Sequence, residues 1–376
     1  MTATQVVARF PLGMLSLALL VHVHATTGSY AAAGVAVAAW SIGEGVAGPL
    51  AGRLLGRYGV VRTVGASATL CAVIVSVLAS GLTGWVPVLL CLVGGMTVPP
   101  VAQAARSVYP TLVPTVLLPA LFAVDASSQE VIWAFGPLLA TTLAGVSTAA
   151  PLTVAAVVLW LGSAWFLALR VVRRGHAADS APARTFGRSL TNPTVLVAVL
   201  TSAMLVASYS ALEVAVLDRF GSDTARTGIA IAVSSVGSLV GGLTFGPRVR
   251  GTRGLILSMT AVCVFTAAAA VAPGQPLFLA AMFLSGLGFA PASGYLSMVV
   301  STNVAPGEAG EAFGWVGTGG LVGAAAGTAV GGLAIDASGG GAAFLVAVVA
   351  GALGASVPPA SVALRARGLQ QPRRGG

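Results

Sequence analysis

The chain has 376 residues, of which 56% are apolar and only 8% charged. A soluble domain carries about 25% charge, so water-compatible groups cannot cover this surface and lipid must be the solvent. The formal charge of +9 comes from arginines dispersed at the ends of apolar runs, which excludes the gathered basic face of a nucleic-acid binder.

A spanning helix needs about 20 apolar residues, and reading along the chain gives twelve such runs. The first, 6–26, resembles a secretory leader, with Arg9, an apolar stretch and then Ala31-Ala32-Ala33. It is kept as a span, because cleavage would strip a helix from one half of the internal repeat described below. His22 and His24 lie near its outer end. Two residues apart on a helix they point about 200° apart and cannot share one metal. His22 is a candidate to face a cavity and titrate near neutral pH, while His24 reads as an interface anchor.

The second span, 31–55, carries Trp40 and Glu44. A charge at the bilayer centre costs at least about 3 kcal/mol on insertion scales. Glu44 lies roughly 12 Å inside the span, with no basic residue near it in sequence. It is either a proton carrier or a group bonded to neighbouring backbone or serine. The third and fourth spans are 63–82 and 85–107, the latter with Gln103 and, near its end, Arg106. The fifth, 125–147, opens on Asp125 and Glu130, where acids complement a helix N-terminus; the alternative is a gate in which either acid pairs with Arg106. The sixth is 150–172.

A polar stretch reads as a flexible linker over 173–192. The seventh span, 193–217, places Glu213 in its outer third beside Ser208, Tyr209 and Ser210. This acid is either a functional intramembrane carboxylate or an interfacial acid near Asp218 and Arg219. The remaining spans are 226–247, 254–272, 276–300 with Ser293, Tyr295 and Ser297, 308–335, and 341–364, before a tail over 365–376. In the eleventh span Gly319, Gly323, Gly327 and Gly331 recur every fourth residue, a smooth stripe for close helix approach. It serves static packing or lets two bundles rock. Glu308 and Glu311 begin that span and invite the helix-dipole reading.

The same unit is written twice. Gly34, Gly43, Gly48 and Gly52 are answered by Gly228, Gly237, Gly242 and Gly246 at one constant offset, and Gly94, Pro99 and Pro114 by Gly286, Pro291 and Pro306 at a slightly shorter one. The expected architecture is therefore an all-α polytopic membrane protein of two six-helix bundles, 1–172 and 193–364. With both termini inside, the inside loops hold every arginine but Arg219 and Arg226, which fixes the orientation. An even number of spans per half makes the repeats parallel.

The segment Gly48-Pro-Leu-Ala-Gly52-Arg53-Leu-Leu-Gly56-Arg57-Tyr-Gly59-Val-Val-Arg62 resembles the cytoplasmic loop signature of the major facilitator superfamily. Gly52, Arg57, Gly59 and Arg62 fit, and Gly56 stands where that family usually has aspartate. Gly136-Pro137 is similar to the end of its antiporter motif, and Ala211-Leu212-Glu213 and Glu311…Trp315 resemble its exporter-like bacterial branch. The resemblance implies a cavity lined by the first, fourth, seventh and tenth helices and a cytoplasmic gate at the signature loop.

Cys71, Cys91 and Cys263 lie in separate apolar runs and read as small hydrophobes. All 19 basic residues are arginine, so no Gly-x-x-x-x-Gly-Lys loop exists and direct ATP drive is excluded. The expectation is a secondary transporter, not an enzyme, with no cofactor. It moves a small amphipathic organic solute by alternating access, as proton-coupled export. Glu44, Glu213 and His22 are the coupling or substrate candidates. Gln103, Ser210, Tyr295 and Trp40 are the cavity candidates. Gly52, Arg57, Gly59, Arg62, Arg106, Asp125 and Glu130 form the gate set. Uptake or facilitated diffusion is the alternative, and a sensor or assembly subunit that moves nothing is a third. The expected partners are solute, protons and lipid, with no nucleic acid, in a monomer of the bacterial cytoplasmic membrane.

Overall fold

The computed structural model describes residues 1–174, 186–221, 223–249, 251–339 and 341–370. Arg184, Arg250, Arg373, Arg374 and the middle of the linker lie outside them. Among the described residues every regular element is helical: α1 (Thr2–Thr27), α2 (Tyr30–Tyr58), α3 (Val60–Leu78), α4 (Val86–Met96), α5 (Val101–Leu112), α6 (Leu118–Ala144), α7 (Ala150–Ala168) and the short α8 (Arg170–Arg174) come first. After the linker follow α9 (Pro193–Phe220), α10 (Thr224–Thr244), α11 (Gly251–Val271), α12 (Gln275–Asn303), α13 (Pro306–Ser338) and α14 (Ala342–Gln370). Among the described residues ten helical segments are long and apolar enough to cross a membrane, with Val86–Leu112 counted as one. The 29-residue α2 and the apolar stretch Ala342–Pro358 of α14 complete two sets of six.

Local signals set the helix ends. Ser29 accepts a hydrogen bond from the Ala32 amide at the start of α2, and Asn192 from the Thr194 amide at the start of α9. Gly59 joins α2 to α3 in a single residue at φ 78° and ψ 166°, a conformation essentially restricted to glycine.

The repeat is visible as a repeated contact. Gly95 of α4 abuts the Trp40 carbonyl and the Glu44 amide of α2 so closely that a Cβ would not fit. Gly286 of α12 meets the Ser234 carbonyl and the Ser238 amide of α10 in the same way. Trp40 and Glu44 therefore correspond to Ser234 and Ser238. The halves differ in one respect: α12 runs unbroken through Pro291, whereas the fourth span breaks between α4 and α5. There Pro99 is followed by Pro100. A residue before proline is driven out of the helical region, and two successive prolines withhold two donors.

Two compact units divide the chain. One comprises Met1–Leu121, Ser127–Ser189 and Val300–Thr318; the other comprises Phe122–Ala126, Leu190–Val299 and Gly319–Gly376. The core of the first gathers Met14, Leu19, Trp40, Cys71, Cys91, Leu152 and Leu159. The core of the second is built on Leu212, Val216, Met282 and the edge-on rings of Phe220, Phe278 and Phe344. The glycine stripe of α13 is used inside the second unit, where Gly323 and Gly327 press on the backbone at Ala203 and Ala207 of α9.

Candidate functional site

In the first unit the exposed stripe of α2 runs through Val35, Ile42 and Val46. Helical geometry turns Glu44 about 180° away from it. Glu44 is half-buried and makes no hydrogen bond or ion pair among the described residues. It is an electrostatic neighbour of Cys71, whose thiol approaches the Gly94 carbonyl at 3.8 Å. Gly95 stands level with Glu44, and one turn further along α2 Gln103 Nε2 donates to the Gly48 carbonyl at 3.4 Å. The break at Thr97–Pro100 thus lies at the level of the Glu44 side of α2. Gln103 Oε1 is buried with no partner. A carboxylate, an acceptor-bearing amide and the loose end of a helix are collected there, a polar spot in an apolar bundle.

The same unit contains a seam between α2 and the start of α13. Gly48, Gly52 and Gly56 face Gly314, Gly310 and Gly307, and any Cβ added at Gly52 or Gly310 would strike the opposite backbone. Thr318 Oγ1 completes the seam by donating to the Gly45 carbonyl at 2.6 Å. Arg57 and Arg62 point into the open; the Arg57 guanidinium rests over the adjacent Tyr58 ring, 5.2 Å from its centroid. The residues of the signature loop therefore divide: Gly52 makes the contact, Gly59 makes the turn, and Arg57 and Arg62 make no ion pair among the described residues. Gly56 explains why, since its backbone touches Gly307 where a carboxylate would have stood.

In the second unit Glu213 is also half-buried and has no hydrogen bond or ion pair among the described residues. The neighbour that would make it an ordinary interfacial acid is engaged elsewhere. Arg219 donates to the Ala272 carbonyl at 3.0 Å and lies over the Phe278 ring. Ser210 is buried one turn before Glu213. Tyr209 meets Ser235 at 3.4 Å and stacks obliquely on Phe289, and Tyr295 is half-buried on α12.

Several expectations change. Trp40, expected to line a cavity, is a buried core residue packed against Gly94. Asp125 and Glu130 do not open their helix: α6 starts at Leu118, so both are carried inward and are buried, and the helix-dipole reading fails. Glu308 does occupy the first turn of α13, whereas Glu311 is buried in the second. His22 is buried, with Nδ1 3.2 Å from Thr148 Oγ1 and Nε2 unpartnered. Arg106 lies on α5, where its carbonyl accepts from Ser301 at 3.4 Å. A groove of about 690 Å³ between α3 and α7, lined by Val73, Val77 and Trp160, opens on an apolar outer face and holds none of the candidates.

One polar cluster was missed. Arg9 is a buried cation: it donates to Gln5 Oε1 at 3.3 Å and to Gln129 Oε1, while Gln5 Nε2 donates to Tyr109 at 2.6 Å. Near a chain terminus an arginine reads as a topology marker. The spacing of Gln5 and Arg9 by one helical turn was the available signal.

A family model of the Major Facilitator Superfamily matches residues 1–250. None of the curated proteins matches the sequence. Among solved structures, a bacterial homologue of the iron transporter ferroportin in its outward-facing state aligns over 96% of this chain and 98% of its own, with TM-score 0.80 and 16% identity. The human organic anion transporter MFSD10 aligns over 95% and 97%, with TM-score 0.74 and 15% identity. The E. coli fucose:proton symporter aligns over 95% and 97%, with TM-score 0.66 and 14% identity. At such identities the likeness is one of fold.

Proposed function

This chain belongs to the major facilitator superfamily, and we propose that it exports a small amphipathic organic solute by alternating access, coupled to protons, with Glu213 and Glu44 as the coupling groups. One observation carries the reading: each six-helix repeat holds, within a spanning helix, a half-buried carboxylate that has no hydrogen bond or ion pair among the described residues. An intramembrane acid without a structural partner is a functional group by default, because its insertion cost is otherwise unrecovered. The two acids are not repeat equivalents, since Glu44 corresponds to Ser238. The coupling groups thus differ between halves. The repeats 1–172 and 193–364 would alternate access about a midplane site, with 173–192 tethering them and both termini on the cytoplasmic side of a bacterial inner membrane. Proton entry down a membrane potential supplies about 2.3 kcal/mol per charge per 100 mV. The half-buried Ser293 and Tyr295 and the buried Ser210 are the proposed solute-facing groups, on a single copy of the chain.

Proton-linked uptake is the second reading, and the fucose:proton symporter among the structural neighbours favours it. The test is a panel of labelled solutes presented to inside-out vesicles and proteoliposomes with and without an imposed pH gradient. Export predicts accumulation inside inverted vesicles, and Glu213→Gln should insert normally yet lose the response to the gradient. A gradient response that survives Glu213→Gln removes that residue from the mechanism.

A further inference from the structure

The far end of the linker is seated on the protein. Gly187 N–H and Ser189 Oγ donate to Glu311 Oε1 at 2.8 and 2.9 Å, and Trp315 Nε1 reaches the same oxygen at 3.3 Å. Glu311 is 1% exposed and its Oε2 is buried with no hydrogen-bond partner among the described residues. Three donors on one oxygen, two of them from the linker, make a receptor for that segment. Hydrogen bonds to a charged acceptor are the strong class. The Phe186 ring then lies 5.8 Å from the Trp315 ring of α13, while the Arg53 guanidinium of α2 sits over the Phe186 ring, 5.7 Å from its centroid. Phe186 thereby spans α2 and α13 beside the Gly52–Gly310 contact. The exposed Arg188–Glu308 pair at 4.0 Å adds little.

We propose that Phe186–Ser189 is an intramolecular clasp held by Glu311, which pins α2 to α13 and sets how often the glycine seam opens. Glu311 is a positioning residue in this scheme. A bare tether between bundles needs no buried carboxylate to receive it, and glycine against glycine has no side chains to interlock; the clasp supplies what the seam lacks. The proposal is independent of the transported solute and of the coupling ion.

The test is hydrogen–deuterium exchange of the full chain in lipid nanodiscs, following peptides over 45–57 and 305–318 with α11 as reference. Ser189→Ala and Phe186→Ala should each raise exchange at both seam peptides by roughly tenfold, the loss of one hydrogen bond to a charged acceptor or of a bridging ring, and leave α11 unchanged. Glu311→Gln should act in the same direction. If that variant fails to insert, the other two decide, since Phe186 is already 44% exposed and tolerates truncation. Unchanged seam exchange in the folded variants overturns the clasp. A uniform rise that includes α11 also overturns it, because that is general loosening.

Discussion

Gly52→Ala isolates the close approach of α2 and α13. Its Cβ would fall onto the Gly310 carbonyl and stand 2.6 Å from the Glu311 nitrogen, where ordinary contact begins near 3.4 Å. These are backbone atoms and cannot rotate aside, so the helices must part by close to an ångström. Such overpacking costs about 1–3 kcal/mol, partly hidden by the gain of up to ~1 kcal/mol when alanine replaces glycine inside a helix. Gly317→Ala on α13 removes that ambiguity, because nothing lies within 4 Å of the added Cβ and only the propensity gain remains. The difference between the two variants is then the overpacking itself, a factor of about 5–150 in the ratio of closed to open seam. Spin labels at the exposed positions Arg57 and Ala305 read that ratio as a distance distribution. Gly52→Ala should move population to long distances, and Gly317→Ala should not. Identical distributions for the two would refute the claim that backbone contact closes this face.

Three further outcomes are expected. Glu44→Gln should preserve folding and solute binding but abolish gradient-driven movement in proteoliposomes; intact drive would reduce Glu44 to a local hydrogen-bonding group. Arg9→Ala should lower stability by about 2–4 kcal/mol, because Gln5 and Gln129 lose a buried partner, while the exposed Arg57→Ala should change it by less than about 0.5 kcal/mol, both read from denaturant or thermal unfolding. Gly59→Ala should cost roughly 1–3 kcal/mol, and Gly59→Asn should not rescue it, since asparagine tolerates the left-handed helical region but not φ 78° with ψ 166°. A melting midpoint equal to that of the parent in the asparagine variant would show that the turn relaxes.

The helices and their twofold plan were legible because glycine and proline positions carry backbone geometry directly. Gly43/Gly237 mark the repeat in the sequence, and α2–α4 and α10–α12 make matching contacts in space, in which Gly286 answers Gly95, one residue beyond the Gly94 that the sequence pairs with it. What failed were places where one residue type has two meanings. The fifth span was expected to open at Asp125; Pro119 sits in the first turn, where proline starts a helix, and α6 begins at Leu118. Pro99 matches Pro291, but only Pro99 is followed by a second proline, so a matched position gave a break in one half and a continuous helix in the other. The stripe Gly319, Gly323 and Gly327 was correctly read as a close-packing surface, yet its partner is α9; the seam uses Gly307, Gly310 and Gly314. Spacing reveals that a face is smooth and leaves open which neighbour takes it. Partnerships far apart in sequence, such as Glu311 with Ser189 or Arg9 with Gln129, left no local trace. Glu44 and Glu213 stand out in the sequence because cost alone singles out a carboxylate in a spanning helix, and that cost is the ground on which they are proposed as coupling groups.

The glycine seam has a consequence for the medium in which the protein works. Arg57 and Arg62 stand clear of the contact, and the surfaces that meet there are uncharged peptide groups. Dissolved electrolyte weakens attraction between exposed ions over about 10 Å at 0.1 M, and beside this joint the exposed pair it acts on is Arg188–Glu308, which adds little. On the proposed topology, in which this seam faces the cytosol, a cell that concentrates its cytosol under osmotic stress would leave the seam largely unaltered, where a door held by opposite ions would swing more freely.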